Sequence, residues 1–330
     1  MLEDWVFYYL PRIFCGFTYV VNPVFIYLIF TEKSSQFGNY RFLLLFFAVF
    51  NMIYSVMNFL IQIDIHSYRY CFFLFLKNNW FPQSPQLNFH LLLARCSMLA
   101  ASYGVLLIHF IYRYLIMSNS TLTNEKFHWY LTGSAVIIML YFWFWYFLCW
   151  FSGEANLETR QYIRDYFQST FGSDSMDSSM LTALYNEASL ETKIRSWNLI
   201  SSASALSILS IITFFILARL IMQKLENLSV TSSVKTSKFQ FELLRALIVQ
   251  TVVPIFISFS PCFLCWYSPI FGIQLNRGFN YFEVSALAVF SFVDPVAIIL
   301  CVPIFRARVF CNRKNMPTSK QPTNHGDYQI

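Results

Sequence analysis

The sequence predicts an all-α polytopic membrane protein, a bundle of seven transmembrane helices, and three observations carry that prediction. Of the 330 residues 57% are hydrophobic and only 12% charged, with 38 Phe, 20 Tyr and 8 Trp; a soluble domain carries roughly 25% charged residues. Seven apolar segments, each long enough to cross a hydrocarbon core about 30 Å thick, alternate with polar loops. Lysine and arginine divide unevenly between alternate loops, the asymmetry that sets membrane topology.

The first segment covers about 13–30, edged by Arg12 and the interfacial pair Tyr8-Tyr9. Asn22-Pro23 inside it marks a kink, and backbone groups freed at a buried proline must be satisfied by neighbours, so this span packs inside a bundle. The second, about 42–62, carries Asn51, Ser55 and Asn58 at helical spacing, able to hydrogen-bond across helices. Residues 64–87 read as a loop. A third segment runs from near Asn88 to Arg113; the fourth, about 129–151, is crowded with aromatics at 141–147 that read as lipid-facing and interfacial. The stretch 152–196 is the longest and most polar loop, too long for a compact connection, and so either a lid over the bundle mouth or partly disordered. The fifth segment, about 197–220, opens with small residues that allow close helix approach. The sixth, about 241–266, contains Pro254 and Pro261 and should bend; the seventh, about 279–304, holds Asp294-Pro295. Residues 1–305 thus form one membrane domain, and the basic stretch 306–330 reads as a flexible tail.

With the N-terminus outside, about 14 of the 23 lysines and arginines fall in cytoplasmic loops and tail, which favours N-out and C-in. Glu3 and Asp4 stand where a cleaved signal would carry basic residues, so the first apolar run is read as a span. The net charge of +6 is scattered among loops, not gathered into a stripe, so it is no argument for nucleic acid as a partner; the apolar spans make membrane lipid the expected one. Cys262 and Cys265 have metal-ligand spacing without a second pair or a nearby histidine, so no metal or other cofactor is expected. Paired histidines, a Gly-x-Ser-x-Gly elbow and facing aspartates within spans are missing, which speaks against an enzyme. Seven unequal segments lack the repeat symmetry of a transporter.

Several stretches occur in a fixed order: Asn22-Pro23-Val24-Phe25-Ile26-Tyr27-Leu28-Ile29; Phe37-Gly38-Asn39-Tyr40-Arg41, leading to Phe46-Phe47-Ala48 and Tyr54-Ser55; and His109-Phe110-Ile111-Tyr112-Arg113-Tyr114. Gln250 follows, four residues before Pro254, and then Asp294-Pro295 shortly before Phe305-Arg306. Together, over about 13–308, they resemble nematode seven-transmembrane chemoreceptors of the Str superfamily, most closely serpentine receptor class J. The resemblance implies a G-protein-coupled-receptor-like bundle in the plasma membrane of a sensory neuron, at its cilium. Such a protein would bind a small odorant or pheromone and signal through a heterotrimeric G protein. The alternative is a ligand-gated channel or transporter of inverted topology, which needs the N-terminus inside, contrary to the charge count. Rhodopsin-like receptors carry Asp-Arg-Tyr, Asn-Pro-x-x-Tyr and a disulfide to the second outer loop. This chain has Tyr112-Arg113-Tyr114, Asp294-Pro295-Val296-Ala297-Ile298, and no cysteine within 152–196, leaving Cys71 and Cys149 as the candidate substitute pair.

A receptor needs a pocket, a bundle with two packings of similar energy, and a surface that a partner reads in one of them. In the outer half, Arg95 and Glu283 are buried-charge candidates, either paired with each other or meeting a polar ligand group. His90, Ser97, Ser258 and Trp266 are candidate lining residues, and the aromatic richness fits a small apolar ligand. Arg113 lies 18 residues from Arg95, about 27 Å along a helix, where the span leaves the bilayer. With His109, Tyr112 and Tyr114 it is either an interfacial belt with a snorkelling arginine or a coupling switch. Arg245, Arg306 and Arg308 would converge on it, or else express the positive-inside bias alone. Pro254, about midway along its helix, is the hinge candidate. Asp294, an acid near mid-span, is either a tie to Asn51, Asn58 or Asn22, or a cation site.

Overall fold

A computed structural model describes residues 2–32, 38–77, 81, 83–231 and 234–310; for 2–8, 228–231, 234–239, 258 and 290 it describes the main chain alone. In chain order the elements are α1 (Leu2–Thr31), α2 (Tyr40–Leu60), β1 (Ile63–Tyr68), β2 (Cys71–Leu76), α3 (Pro85–Met117), α4 (Thr121–Asn124) and α5 (Phe127–Leu148). They continue with α6 (Leu157–Phe171), β3 (Met180–Leu184), α7 (Leu190–Thr231), α8 (Val234–Pro254), α9 (Ser260–Tyr267), α10 (Arg277–Cys301) and α11 (Pro303–Val309). A π-helical turn, Cys149–Gly153, extends α5, and another, Ile255–Phe259, joins α8 to α9.

Length and composition allow α1, α2, α3, α5, α7 and the α8–α9 unit to cross a membrane, and α10, bent by 52° between Val289 and Ser291, makes the seventh span. The expected seven-helix bundle is therefore what forms. Pro85 opens α3 in the first turn, where its missing N–H has no helical partner to lose. This helix is the axis of the bundle: 72% of its apolar window is buried, against 22% to 44% in the other unbroken spans. Gly104 lets α5 approach closely, since a Cβ there would lie 3.2 Å from the Ile138 Cα.

The bend of α10 falls just ahead of Pro295, in the span that the sequence marks with Asp294-Pro295. Pro295 cannot donate to the carbonyl four residues earlier, and that carbonyl, of Ser291, accepts instead from Asn22 Nδ2 at 3.2 Å. Asn22 Nδ2 also donates to the Thr18 carbonyl of its own helix at 3.0 Å, so the amide nitrogen is spent on backbone, while Oδ1 has no hydrogen-bond partner. Beyond Pro254 the ladder widens into the π-helical turn before α9 resumes.

Two stretches read as loops are structured. Residues 63–76 form an antiparallel hairpin, with Ile63 opposite Leu76 and Tyr68 opposite Cys71, and β3 adds to its inner edge with Cys71 opposite Leu184. The hairpin turns at Arg69-Tyr70, with Arg69 at φ 49°. Side chains alternate across the sheet. Ile63, Ile65, Phe72, Leu74, Leu181 and Ala183 join the bundle core, while Cys71, Phe73, Phe75, Met180 and Leu184 pack with Ile163 and Phe167 of α6. Phe75 stands 5.0 Å from Phe167 and 4.8 Å from Phe171, edge to face, a geometry worth about 0.5–1.5 kcal/mol per pair beyond burial. Asn156 caps α6 by accepting from Thr159 N at 2.9 Å, and Gly172, at φ 70°, ends it. Arg160 donates to the Ser175 and Ser178 carbonyls at 2.6 and 2.7 Å and fixes the return to β3. Residues 152–196 are thus a built lid, the first of the two expected alternatives.

Cys71 and Cys149 are both buried free thiols, so the candidate disulfide does not form; Cys71 faces α6 and Cys149 faces the bundle, on opposite sides of the sheet. The stretch read as a tail begins in a helix, α11, and its residues 311–330 lie outside the described residues.

Candidate functional site

Beneath the bundle face of the sheet lies an apolar cavity of about 70 Å³. Strand residues Phe72, Leu74 and Leu181 line it from one side; Arg95, Cys96, Trp145, Cys262, Trp266 and Glu283 come from the helices. Arg95 and Glu283 share this cavity without forming the expected ion pair, because each has a nearer partner. The Arg95 guanidinium lies 5.0 Å from the centre of the Tyr54 ring and donates to its hydroxyl at 3.3 Å. Glu283 Oε2 accepts from the Cys265 thiol. Arg95 Nε and Glu283 Oε1 have no hydrogen-bond partner, although both residues are fully buried.

The other predicted lining residues divide. Trp266 is in the cavity wall, 6.1 Å from Trp145. Ser97 is not: it is buried and donates back to the Leu93 carbonyl at 2.8 Å, as serines inside helices do. His90 pairs with Tyr146 Oη at 2.7 Å and lines a separate crevice of about 650 Å³ with Trp150, Glu154, Arg160 and Asp177. The Ser258 side chain lies outside the described residues. A further chamber of about 50 Å³, unforeseen from the sequence, is lined by Arg12, Asn58, Asp64, Lys77 and Tyr281, and also by Arg95.

His66 ties the lid to the bundle. Asn280 Nδ2 of α10 donates to its Nδ1 at 2.8 Å, so the proton sits on Nε2, which meets Tyr166 Oη of α6 at 2.7 Å. Burial, with the Arg277 charge adding to it, pushes the imidazole pKa down to about 4.

At the other end of α3, Arg113 is buried at 2% exposure. Its guanidinium stacks 3.6 Å from the Tyr40 ring centre and donates to Gln240 Oε1 of α8 at 2.8 Å. Tyr40 Oη meets His109 Nδ1 at 3.2 Å, and the Tyr40 and Tyr112 rings stack at 5.2 Å. Tyr114 instead takes Lys224 of α7 over its ring. An enclosed, stacked guanidinium is not a snorkelling one, so the belt reading fails for Arg113. Arg306 and Arg308 do not join it: Arg306 donates to the Leu300 carbonyl and Arg308 pairs with Glu32 at 3.5 Å. Arg245 is exposed on α8.

Asp294 makes none of the expected side-chain ties. Its Oδ1 and both Asn51 amide atoms lack partners and face one pocket beside Pro254. That pocket, about 10 Å³, has room for about one water. Tyr40, Tyr54 and Gln240 are the site residues that sequence reasoning missed. A signal for the tyrosines was present: Tyr40 and Tyr54 are 14 residues apart and Arg95 and Arg113 are 18 apart, close to four and five whole turns, so each pair shares one helix face.

The family described as serpentine type 7TM GPCR chemoreceptor Srj matches residues 1–309. The chain is 57% identical to serpentine receptor class J-38 of Caenorhabditis elegans, over 97% of each chain. It is 25% identical to serpentine receptor class r-10 of Caenorhabditis briggsae, over 90% of this chain and 88% of that one. With G-protein coupled receptor str-217 of C. elegans it shares 22% over 91% and 88%. The match runs from the first residue to the end of α11, and by it this multi-pass membrane protein belongs to the Srj serpentine chemoreceptors, a nematode family of seven-transmembrane receptors.

Proposed function

We propose that this receptor binds a small odorant or pheromone in the cavity under the sheet and signals through a heterotrimeric G protein at the Arg113 end. The lid faces outside and α11 faces the cytoplasm, in the plasma membrane of a sensory neuron and its cilium. The observation that carries this reading is the α8–α9 span. Its α9 end supplies Cys262 and Trp266 to the cavity, its α8 end supplies Gln240 to Arg113, and Pro254 with the π-helical turn lies between them. A ligand that favours one packing of α9 therefore biases the latch through a single element with a built-in pivot. The positive-inside count supports the orientation.

The test is expression with one epitope tag ahead of α1 and another after α11, read in intact and permeabilised cells beside a G-protein activation assay. The expected result is an exposed N-terminal tag, a protected C-terminal tag, and activation that Arg113→Ala abolishes without loss from the surface. A C-terminal tag accessible in intact cells, or normal activation by surface-expressed Arg113→Ala, overturns the proposal.

A further inference from the structure

Two chambers meet at Arg95, and they differ in chemistry. The larger, about 70 Å³, is walled mostly by aliphatic and aromatic side chains, with Arg95 and Glu283 among them; the smaller, about 50 Å³, sets Arg12, Asn58, Asp64, Lys77 and Arg95 among apolar residues such as Phe59, Ile61 and Val284. The formal charges of that smaller lining are three positive and one negative. Asn58 is 9% exposed and neither of its amide atoms has a hydrogen-bond partner. Arg95 is 3% exposed, has no partner for Nε, and forms no ion pair among the described residues. A buried cation without a counter-charge is costly, and so is a buried amide without a bond. One anionic group that accepts from Arg95 Nε and Asn58 Nδ2 removes the first cost and, of the second, the part due to the amide nitrogen. Glu283, the acid of the apolar chamber, does not line the polar one and is held by Cys265. An anion in the polar chamber thus reaches Arg95 without entering the space that Glu283 lines. Arg113 also forms no ion pair among the described residues and leaves Nε and Nη2 without hydrogen-bond partners, but it lines neither chamber.

We propose that the site takes a short-chain carboxylate, its head on Arg95 and Asn58 and its tail in the apolar chamber under Phe72 and Leu74. That chamber is about half the volume of the roughly 150 Å³ cavity that holds a benzene ring, which limits the tail to roughly three to five carbons. The inference rests on the chemoreceptor reading of this cavity for its biological role, though not for the binding itself.

The experiment uses the purified full-length receptor in nanodiscs of neutral lipid, with thermal unfolding followed against pentanoate, pentanol, pentylamine and chloride. Pentanoate should raise the transition saturably while the other three leave it in place. Arg95→Gln should weaken pentanoate roughly tenfold or more, Arg95→Lys less, and Asn58→Leu roughly three- to tenfold. Should Arg95→Gln fail to fold, Asn58→Leu decides. Equal stabilisation by pentanol, equal stabilisation by chloride, or pentanoate affinity unchanged in Asn58→Leu overturns the proposal. Pentanoate binding without signalling in cells would refute the receptor mechanism alone, and signalling to other molecules without pentanoate binding would refute the carboxylate alone.

Discussion

Arg95 and Arg113 are the same residue on one face of one helix, each set against a tyrosine ring from α2, yet they are used differently. Arg113 lies closer to its ring, 3.6 Å against 5.0 Å, and reaches across the bundle to α8. Among the described residues, Arg95 donates to Tyr54 alone, and it lines two chambers. A buried guanidinium must place five N–H donors, and what it does depends on who accepts them. Both leave donors without acceptors, Nε in Arg95 and Nε and Nη2 in Arg113, so the difference is the bond from Arg113 to α8 and the space left beside Arg95.

The largest effect that could break this comparison is Arg113→Ala, expected to abolish G-protein activation at normal surface expression. Next is acid. Between pH 6.5 and 4 the unfolded chain protonates its histidine while folded His66 resists, so stability is full above about pH 6.5 and falls as pH drops toward 4, by about 3 kcal/mol at most. Protonated Nδ1 would also face the Asn280 donor, so acid should raise hydrogen exchange in β1 and α6 before it does so around Arg113. Exchange rising first at the Arg113 end would contradict this division. Gln240→Ala removes a hydrogen bond to a charged group, worth about 1.5–3 kcal/mol, and should raise basal signalling roughly ten- to hundredfold if the latch holds the silent packing; unchanged basal signalling would make Gln240 a packing residue. Tyr54→Phe and Tyr40→Phe sharpen the contrast at about 1 kcal/mol each. The first frees an Arg95 N–H and should alter ligand affinity; the second loses only the His109 bond and should leave affinity in place. Smallest of all, a reductant should leave the unfolding transition where it is, as Cys71 and Cys149 are unbonded.

The seven spans were legible because an apolar run of bilayer length suits little besides a membrane crossing, and the bend before Pro295 because proline lacks its N–H. The sheet was not. Cys71-Phe72-Phe73-Leu74-Phe75-Leu76 is buried on both faces, so it lacks the polar alternation that marks a half-buried strand. Its hairpin turns at Arg69-Tyr70, without the Asn-Gly or Asp-Gly signature of two-residue turns. Within the site, Arg95, Glu283 and Trp266 could be grouped at one end of the bundle because charge and indole nitrogen restrict depth. Their partners could not, since which of two nearby groups wins an N–H depends on a few ångströms of helix rotation. Ser97 and His90, read as lining residues, were misplaced for the same reason: Ser97 bonds back to the Leu93 carbonyl and His90 to Tyr146.

The ceiling over the cavity is drawn from two distant parts of the chain stitched by strand pairing, and its residues serve two masters by turns. Positions 63, 65, 72, 74, 181 and 183 face the bundle core, while 71, 73, 75, 180 and 184 pack against α6. Because a strand sends neighbours to opposite faces, the shape of the ceiling can drift at one set of positions without loosening the packing at the other. Substitutions on the bundle face can therefore reshape the cavity while the contacts that hold α6 stay as they are.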